Sequence, residues 1–419
     1  MSLAFLRNAD WLNRSRAVAY GRIFLAVSVL AVVVWTALSS HGIDLYGRPL
    51  GTDFKSFWAA SQLALQGRPA AAYDPRLHGA AELAMFGGRS SGYAAFFYPP
   101  LFLLVCLPLA LLPYFAALVV WQLVTGAAWL RVVQRLLGWR AVVPVLAYPA
   151  VLLNLEHGQN GFLIAALFGA GALALQRRPA LAGICFGCLA IKPQLLLLLP
   201  VLLLLRRAWR TIGAAIVTVS ALSALSLALF GTAAWTGWLA VAPLARATLE
   251  QGLVDPGKMQ SVFAAIQVLG GGVTAGYVAQ AAVAVCVAAA LVWAQFQRAD
   301  AMAMAMLTAC GSVLATPFVL DYDLCLLALP MAWLLRQGCR DGFQPWEKLG
   351  LAAGFGLPLL SRVLAVRIGI PIAPVVLLAV FGLVLRRSVQ PSGVAAYAPG
   401  MTGPPAGTAT GGGGSIAVP

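Results

Sequence analysis

Charge is what this sequence has least of. Only 10% of its 419 residues are Asp, Glu, Lys or Arg, while 61% are hydrophobic; a soluble domain carries about 25% charged residues. A water-soluble globular enzyme is therefore excluded, and one polytopic membrane domain replaces the two or three soluble domains that the length would otherwise suggest. Acidic residues are scarcer still, 13 against 28 Lys and Arg, for a net charge of +15. The seven cysteines, Cys106, Cys185, Cys188, Cys286, Cys310, Cys325 and Cys339, are odd in number and nearly all lie in apolar runs. No disulfide framework follows. Cys185 and Cys188 form a CxxC with no second pair and no nearby His, which reads as small buried hydrophobes rather than a zinc or redox site. A Walker loop, a dinucleotide fingerprint and a cytoplasmic globular domain for a nucleotide sugar are also missing.

What the chain does have is a series of apolar runs punctuated by basic clusters: Arg131/Arg135/Arg140, Arg177/Arg178, Arg206/Arg207/Arg210, Arg298, Arg336/Arg340 and Arg386/Arg387. The first run, 23–38, follows Arg14, Arg16 and Arg22 and is longer than a signal-peptide core, so it reads as a retained helix with its N-terminus in the cytoplasm. If the clusters mark cytoplasmic turns, spans are expected at 20–39, 114–136, 141–155, 160–176, 179–191, 193–205, 211–230, 273–297, 301–317, 323–336, 347–361 and 369–385. The fold expected is an all-α polytopic protein of about twelve transmembrane helices with both termini inside.

The acids, which played no part in that assignment, test it. Nine of the 13 fall outside and four inside, while the 28 cations split 18 inside and 10 outside. Nearly the whole excess of positive charge is thus the positive-inside signal, and nucleic acid is not needed to explain it. Span 141–155 would be only ~22 Å long, short of a ~30 Å hydrocarbon core; short helices of this kind suit a water-accessible cavity below the outer surface.

The expected domain, 20–387, lies between a cytoplasmic N-terminus, 1–19, and a disordered cytoplasmic tail, 388–419, rich in Gly, Pro and Ala. Its long first outer loop, 40–113, contains FKSFWAASQLALQG, expected as an amphipathic helix on the membrane surface. It also contains YPPLFLLVCLPLALL, whose prolines suggest a re-entrant or interfacial segment. A second outer loop is expected at 231–272, with Trp235, Trp238 and MQSVFAAIQVLG.

Ionisable groups at membrane depth are costly and usually functional. Four clusters recur at span junctions, all assigned to the outer face: Asp53 in GTDFKSFW; Glu156, His157, Gln159 and Asn160 in LEHGQNG; Lys192 in LAIKPQLLLLL; and Asp321 with Asp323 in TPFVLDYDLCLLALP. Each has a structural alternative. Asp53 would cap the following helix, the GQN turn would satisfy a tight hairpin, Lys192 would snorkel to headgroups, and the two aspartates would cap or pair with Arg362 or Arg367. As chemistry, a carboxylate suits a general base toward an acceptor hydroxyl, and Lys or Arg neutralises a phosphate leaving group. Together they fit transfer from a lipid-phosphate donor.

GTDFKSFWAASQLALQGRPAAAYDP, YPPLFLLVCLPLALLPYFAALVVW, HGQNGFLIAALFGAGALALQRRPALAGICFGCLAIKPQLLLLLP and TPFVLDYDLCLLALP, in this order between about residues 50 and 385, resemble the successive signatures of glycosyltransferase family 87. The resemblance implies a GT-C fold, a polyprenyl-phosphate-sugar donor, mannose above all, and a catalytic Asp in the first outer loop, which is Asp53. Relatives often carry a His before the Asp-Tyr-Asp stretch. Here that position is Leu320, and His157 is the nearby histidine.

The expected activity is transfer of a hexose from a polyprenyl phosphate to a lipid or glycan acceptor at the outer face, with inversion, in a membrane of bacterial plasma-membrane type. Asp53 is the expected base, and Lys192 with Arg76 the donor-phosphate ligands. Tyr98, Glu156, His157, Gln159, Asn160, Asp321 and Asp323 are expected to line the sugar and acceptor pocket. No cofactor or metal cluster is legible, although the carboxylates at 321 and 323 leave room for a divalent cation. Membrane lipids are the other expected partners, with no nucleic acid. The rival is a transporter or flippase, which should show inverted repeats and polar residues reachable from both faces; no repeat is found, and the acids crowd one side.

Overall fold

The computed structural model describes residues 3–89, 92–138 and 142–390. Arg140 and the tail from 391 onward, including most of the expected disordered extension, lie outside them. The described residues form helices and turns, with only isolated bridges and no named strand. In chain order the helices are α1 (Leu3–Asn8), α2 (Arg14–Ala37), α3 (Phe54–Leu65), α4 (Pro75–Met85), α5 (Pro100–Cys106), α6 (Tyr114–Leu137), α7 (Val142–Leu146), α8 (Pro149–His157), α9 (Gly161–Ala174) and α10 (Pro179–Cys188). There follow α11 (Leu199–Leu205), α12 (Trp209–Ala240), α13 (Ala242–Glu250), α14 (Val262–Val268), α15 (Val273–Phe296), α16 (Ala301–Ala315), α17 (Ala328–Asp341), α18 (Glu347–Ile368) and α19 (Ala373–Val389).

Among the described residues five helical stretches are long and apolar enough to cross a membrane: Arg14–Ala37, Tyr114–Leu137, Trp209–Glu250, Val273–Phe296 and Glu347–Ile368. Shorter apolar helices, among them Gly161–Ala174 and Ala301–Ala315, fill the space between. The division of labour follows from composition. Helices α9 and α16 are apolar all round and are buried on nearly every side, as such helices must be. Around them α2 and α12 expose Val27, Leu30, Ile216, Val217 and Leu225 in the manner of lipid-facing surfaces.

Charge sorts the two ends. Ten ion pairs each join two members of the same side of the sequence-based split: Asp10–Lys348, Asp341–Arg340, Asp341–Arg387 and Glu347–Arg387 on one side, and Lys55–Glu82, His78–Glu82, Asp53–His157, Lys192–Asp323, Arg246–Glu250 and Asp321–Arg362 on the other.

Three expectations change. Helix α3 does not lie on a surface: Phe54, Lys55, Ser56, Phe57, Ala59, Ala60, Ser61 and Leu63 are all buried, because α4, α5 and α6 cover it on several sides. Residues 231–272 are mostly helical rather than a loop. Helix α12 continues past a break at Gly231 (φ +70°), a left-handed position that glycine takes without strain, and α13 and α14 follow. The described part of the expected span 141–155 lies in two short helices, Val142–Leu146 and Pro149–His157, broken where Tyr148 precedes Pro149, since a residue before proline disfavours the helical conformation.

Candidate active site

Asp53 ends up at the N-terminus of α3, yet its carboxylate makes no capping bond. It turns instead to the hairpin between α8 and α9. Gln159 Nε2 donates to Asp53 Oδ2 (3.0 Å), Thr52 Oγ1 lies 3.4 Å from Oδ1, and His157 Nδ1 lies 3.9 Å from Oδ1. The Asp53 amide also donates to the His157 carbonyl (3.0 Å), and Thr52 Oγ1 is hydrogen-bonded to His157 Nδ1 (2.7 Å). The Asp53 side chain keeps 30% of its surface exposed, so the carboxylate is held by fixed partners and still open on one side.

Two glycines make that hairpin possible. Gly158 closes α8 in a left-handed conformation (φ +66°), where a side chain would also run into Phe54. Gly161 has an ordinary φ, but a Cβ there would overlap the Tyr322 carbonyl and Asn154 Oδ1. The close approach at Gly161 brings the hairpin against the Asp-Tyr-Asp stretch. Trp121 Nε1 pins the turn from α6 by donating to the Gly158 carbonyl (3.1 Å). Tyr98 OH donates to Gln159 Oε1 (3.1 Å), which also accepts the Asn160 amide (3.0 Å). Orienting donors on one oxygen leave the Gln159 NH2 to face Asp53.

The second half of the site comes from two chain breaks. Helix α10 runs into a 3-10 turn and stops at Lys192 (φ −138°, ψ 71°), which has left the helical conformation that a residue before proline, here Pro193, disfavours. Helix α16 stops at Thr316 before Pro317 in the same way, and residues 319 and 320 run alongside 259 and 260 before the buried 3-10 turn Asp321–Leu327 begins. Lys192 and Asp323 meet there in a short ion pair with both side chains almost wholly buried. The Lys192 ammonium also sits 5.1 Å from the centre of the Tyr322 ring, within reach of a cation–π attraction. Asp323 Oδ2 accepts the Leu320 amide (3.1 Å).

Asp321 goes its own way. It accepts the Tyr322 amide (2.9 Å) and faces Arg362 Nη1 of α18 at 3.7 Å. Burial pushes its pKa up, while His157 and Arg362 pull it back down. The two aspartates are thus engaged separately, by Arg362 and by Lys192. Among the described residues no three His, Cys, Asp or Glu side chains are grouped as metal ligands.

Of the residues singled out in the sequence, Asp53, Tyr98, His157, Gln159, Lys192, Asp321 and Asp323 are linked by these contacts, the two halves joined by the edge-on contact of the His157 and Tyr322 rings (5.8 Å). Asn160 is buried beside them. Two residues stay apart. Arg76 is exposed at the start of α4, and no bond or ion pair joins its guanidinium to the cluster; Glu156 is half-buried on the last turn of α8 with a free carboxylate. Sequence reasoning missed Thr52, Trp121 and Tyr322 as positioning groups. Arg362 it met only as a pairing candidate. Thr52 and Tyr322 sit next to marked residues, whereas Trp121 and Arg362 carry no local signal.

Beneath Asp53 lies a second buried polar group. Lys55 Nζ donates to the Gly92 carbonyl (2.6 Å) and pairs with Glu82 Oε2 (3.3 Å), Glu82 Oε2 accepts the Ala94 amide (3.2 Å), and His78 Nε2 is 3.1 Å from the Ser56 carbonyl. Burial raises the Glu82 pKa to about 7 despite Lys55, and lowers that of His78 to about 4, against the Ser56 carbonyl and with help from Lys55.

The sequence profile of glycosyltransferase family 87 matches residues 96–317. No curated protein and no solved structure matches the chain.

Proposed function

This chain belongs to glycosyltransferase family 87, a family of membrane glycosyltransferases, and from that premise we propose that it moves a hexose, mannose in the first instance, from a polyprenyl phosphate to a lipid or glycan acceptor at the outer face of a bacterial plasma membrane. The architecture proposed is a GT-C-type domain over 20–387 with about twelve spans, the shorter helices included, and both termini in the cytoplasm. The orientation rests on the positive-inside rule applied to the two charge sets.

In the proposed reaction the acceptor hydroxyl gives its proton to Asp53 as its oxygen attacks the anomeric carbon. The bond from that carbon to the phosphate oxygen breaks, and the polyprenyl phosphate leaves with the electron pair. Attack opposite the leaving group inverts the anomeric centre. Thr52 and Gln159 hold the carboxylate in place, and His157 stands beside it. Lys192 is the proposed phosphate ligand, and its pairing with Asp323 means that the phosphate competes with, or adds to, a carboxylate already in place. Arg362, half-exposed and only loosely paired with Asp321, supplies a second cation. Arg76 has no role in this scheme. Tyr98, Asn160, Asp321 and the free carboxylate of Glu156 offer groups to sugar and acceptor hydroxyls.

The observation that carries the reading is the half-open Asp53 carboxylate, held by Gln159 and next to His157 on one side of a cluster whose other side holds Lys192. The test is a transfer assay on purified protein with radiolabelled polyprenyl-phosphate sugars and a panel of lipid and glycan acceptors. Label from the mannosyl donor should reach an acceptor without any nucleotide sugar. Transfer only from a nucleotide sugar would overturn the donor assignment.

A further inference from the structure

At the end of the bundle away from Asp53 there is a site that the transfer chemistry does not use. A cavity of about 450 Å³ opens between the ends of α9 and α11 and the starts of α12 and α16, with Arg206, Arg207, Arg210 and Thr211 in its lining. The helical run from Pro179 to Ile191 separates it from Lys192, which at 1.5 Å per residue is about 20 Å. Arg206 is committed to Gln295 Oε1 (3.3 Å) and the Ala299 carbonyl (3.2 Å). The guanidinium groups of Arg207 and Arg210 carry no hydrogen bond or ion pair among the described residues. No carboxylate lines the cavity, and the nearest in sequence, Asp300, is spent capping α16 at the Ala303 amide (2.7 Å).

Thr211 is the second observation. Its side chain is fully buried, and its hydroxyl has no hydrogen-bond partner among the described residues. Other threonines of the same helix return their hydroxyls to the carbonyl one turn back, Thr218 to Ala214 and Thr236 to Thr232. For Thr211 that position is Arg207, which turns left-handed (φ +51°) and whose carbonyl accepts the Trp209 amide. A buried hydroxyl without a partner costs free energy, and here it lines a basic cavity in the first turn of a long helix, where backbone N–H groups also lack intrahelical acceptors and the helix dipole favours an anion.

The surroundings choose among anions. Leu204 and Trp209 flank the arginines, and Ile216 and Val217 continue down α12, all exposed. A charged mouth with a wet–dry boundary tryptophan and an apolar track leading from it matches an amphiphile. We propose that this cavity holds the phosphodiester headgroup of an anionic membrane lipid, with Arg207, Arg210 and the Thr211 hydroxyl on the phosphate and an acyl chain along the exposed face of α12.

The test uses the full-length protein in nanodiscs of phosphatidylcholine with a minor share of phosphatidylglycerol, followed by native mass spectrometry. Wild type should retain phosphatidylglycerol in preference to phosphatidylcholine, and excess inorganic phosphate should not displace it. Retention should fall about tenfold in Arg207→Gln/Arg210→Gln, the loss of two charge-assisted contacts, and less in the near-isosteric Thr211→Val. Arg14→Gln/Arg135→Gln, which removes the same charge elsewhere, should leave retention unchanged. Equal retention in the wild type and both cavity variants, or equal loss in the Arg14/Arg135 control, would overturn the proposal. Release by inorganic phosphate would assign the cavity to a free anion instead.

Discussion

Gln159 reaches Asp53 across 106 residues of chain, its Nε2 donating to Asp53 Oδ2 at 3.0 Å. The bond gives a direct handle on the proposed base. Gln159→Glu would put a second carboxylate against the first, and like charges disfavour joint ionisation, so the Asp53 pKa must rise. Because the base works deprotonated, the acid limb of the pH–rate profile should move up by about one pH unit or more. Gln159→Met, which removes the bond without adding charge, should lower turnover with little movement of the limb. An unmoved limb in the Glu variant would detach Asp53 from the proton transfer.

The Lys192–Asp323 pair is buried, and breaking it leaves one charge without a partner. Asp323→Leu or Lys192→Met alone should destabilise the protein by about 3–5 kcal/mol, whereas the double variant should recover most of that loss, since apolar replacement of a whole buried pair is often neutral. Thermal unfolding in detergent gives the comparison. Donor binding should remain weak in the double variant. Full donor affinity there would remove Lys192 from the phosphate site.

Gly161 stands where the hairpin touches the Tyr322 carbonyl. Gly161→Ala must push apart two backbones that both position functional groups, at a cost of about 1–3 kcal/mol, and transfer should fall more than the loss of folded protein explains. A fully active Ala variant would show that this approach is not needed.

Glu82 and His78 make opposite contributions to stability. The folded state binds the Glu82 proton more tightly than the unfolded chain, so the Glu82 contribution is present below about pH 4.5 and is lost as pH rises to about 7. The folded state binds the His78 proton less tightly, so that contribution is present above about pH 6.5 and is lost as pH falls to about 4. Between about pH 4.5 and 6.5 the two oppose, and the wild-type melting temperature should be nearly flat. Glu82→Gln should unmask a rise with pH, and His78→Asn a fall. Slopes of the same sign in both variants would contradict the burial of this pair.

The helices were legible because apolar runs between basic clusters have one physical meaning in a chain this poor in charge. The residues of the candidate site stood out for a related reason: Asp53, His157, Lys192 and Asp323 are polar among apolar neighbours. Their partners were not legible. That Lys192 meets Asp323, 131 residues away, depends on two proline breaks facing each other across the core, which no local pattern encodes. The burial of α3 was hidden because its Lys55 and Ser61 look like a wet face until Glu82 and the Cys106 carbonyl are seen opposite them. The helical structure through 232–250 was hidden by Gly231, whose non-helical backbone ends one helix just where the next begins.

The central claim is that Asp53 is the base. Asn at this position keeps the size and an oxygen for the Gln159 amide while removing basicity, so Asp53→Asn should fold, bind donor as the wild type does, and turn over about 10²–10⁴-fold more slowly. Single-turnover transfer from polyprenyl-phosphate mannose, measured beside donor Kd for both proteins, reads rate and binding separately. A rate loss of that size at unchanged Kd is the result this account predicts; turnover equal to the wild type would contradict it.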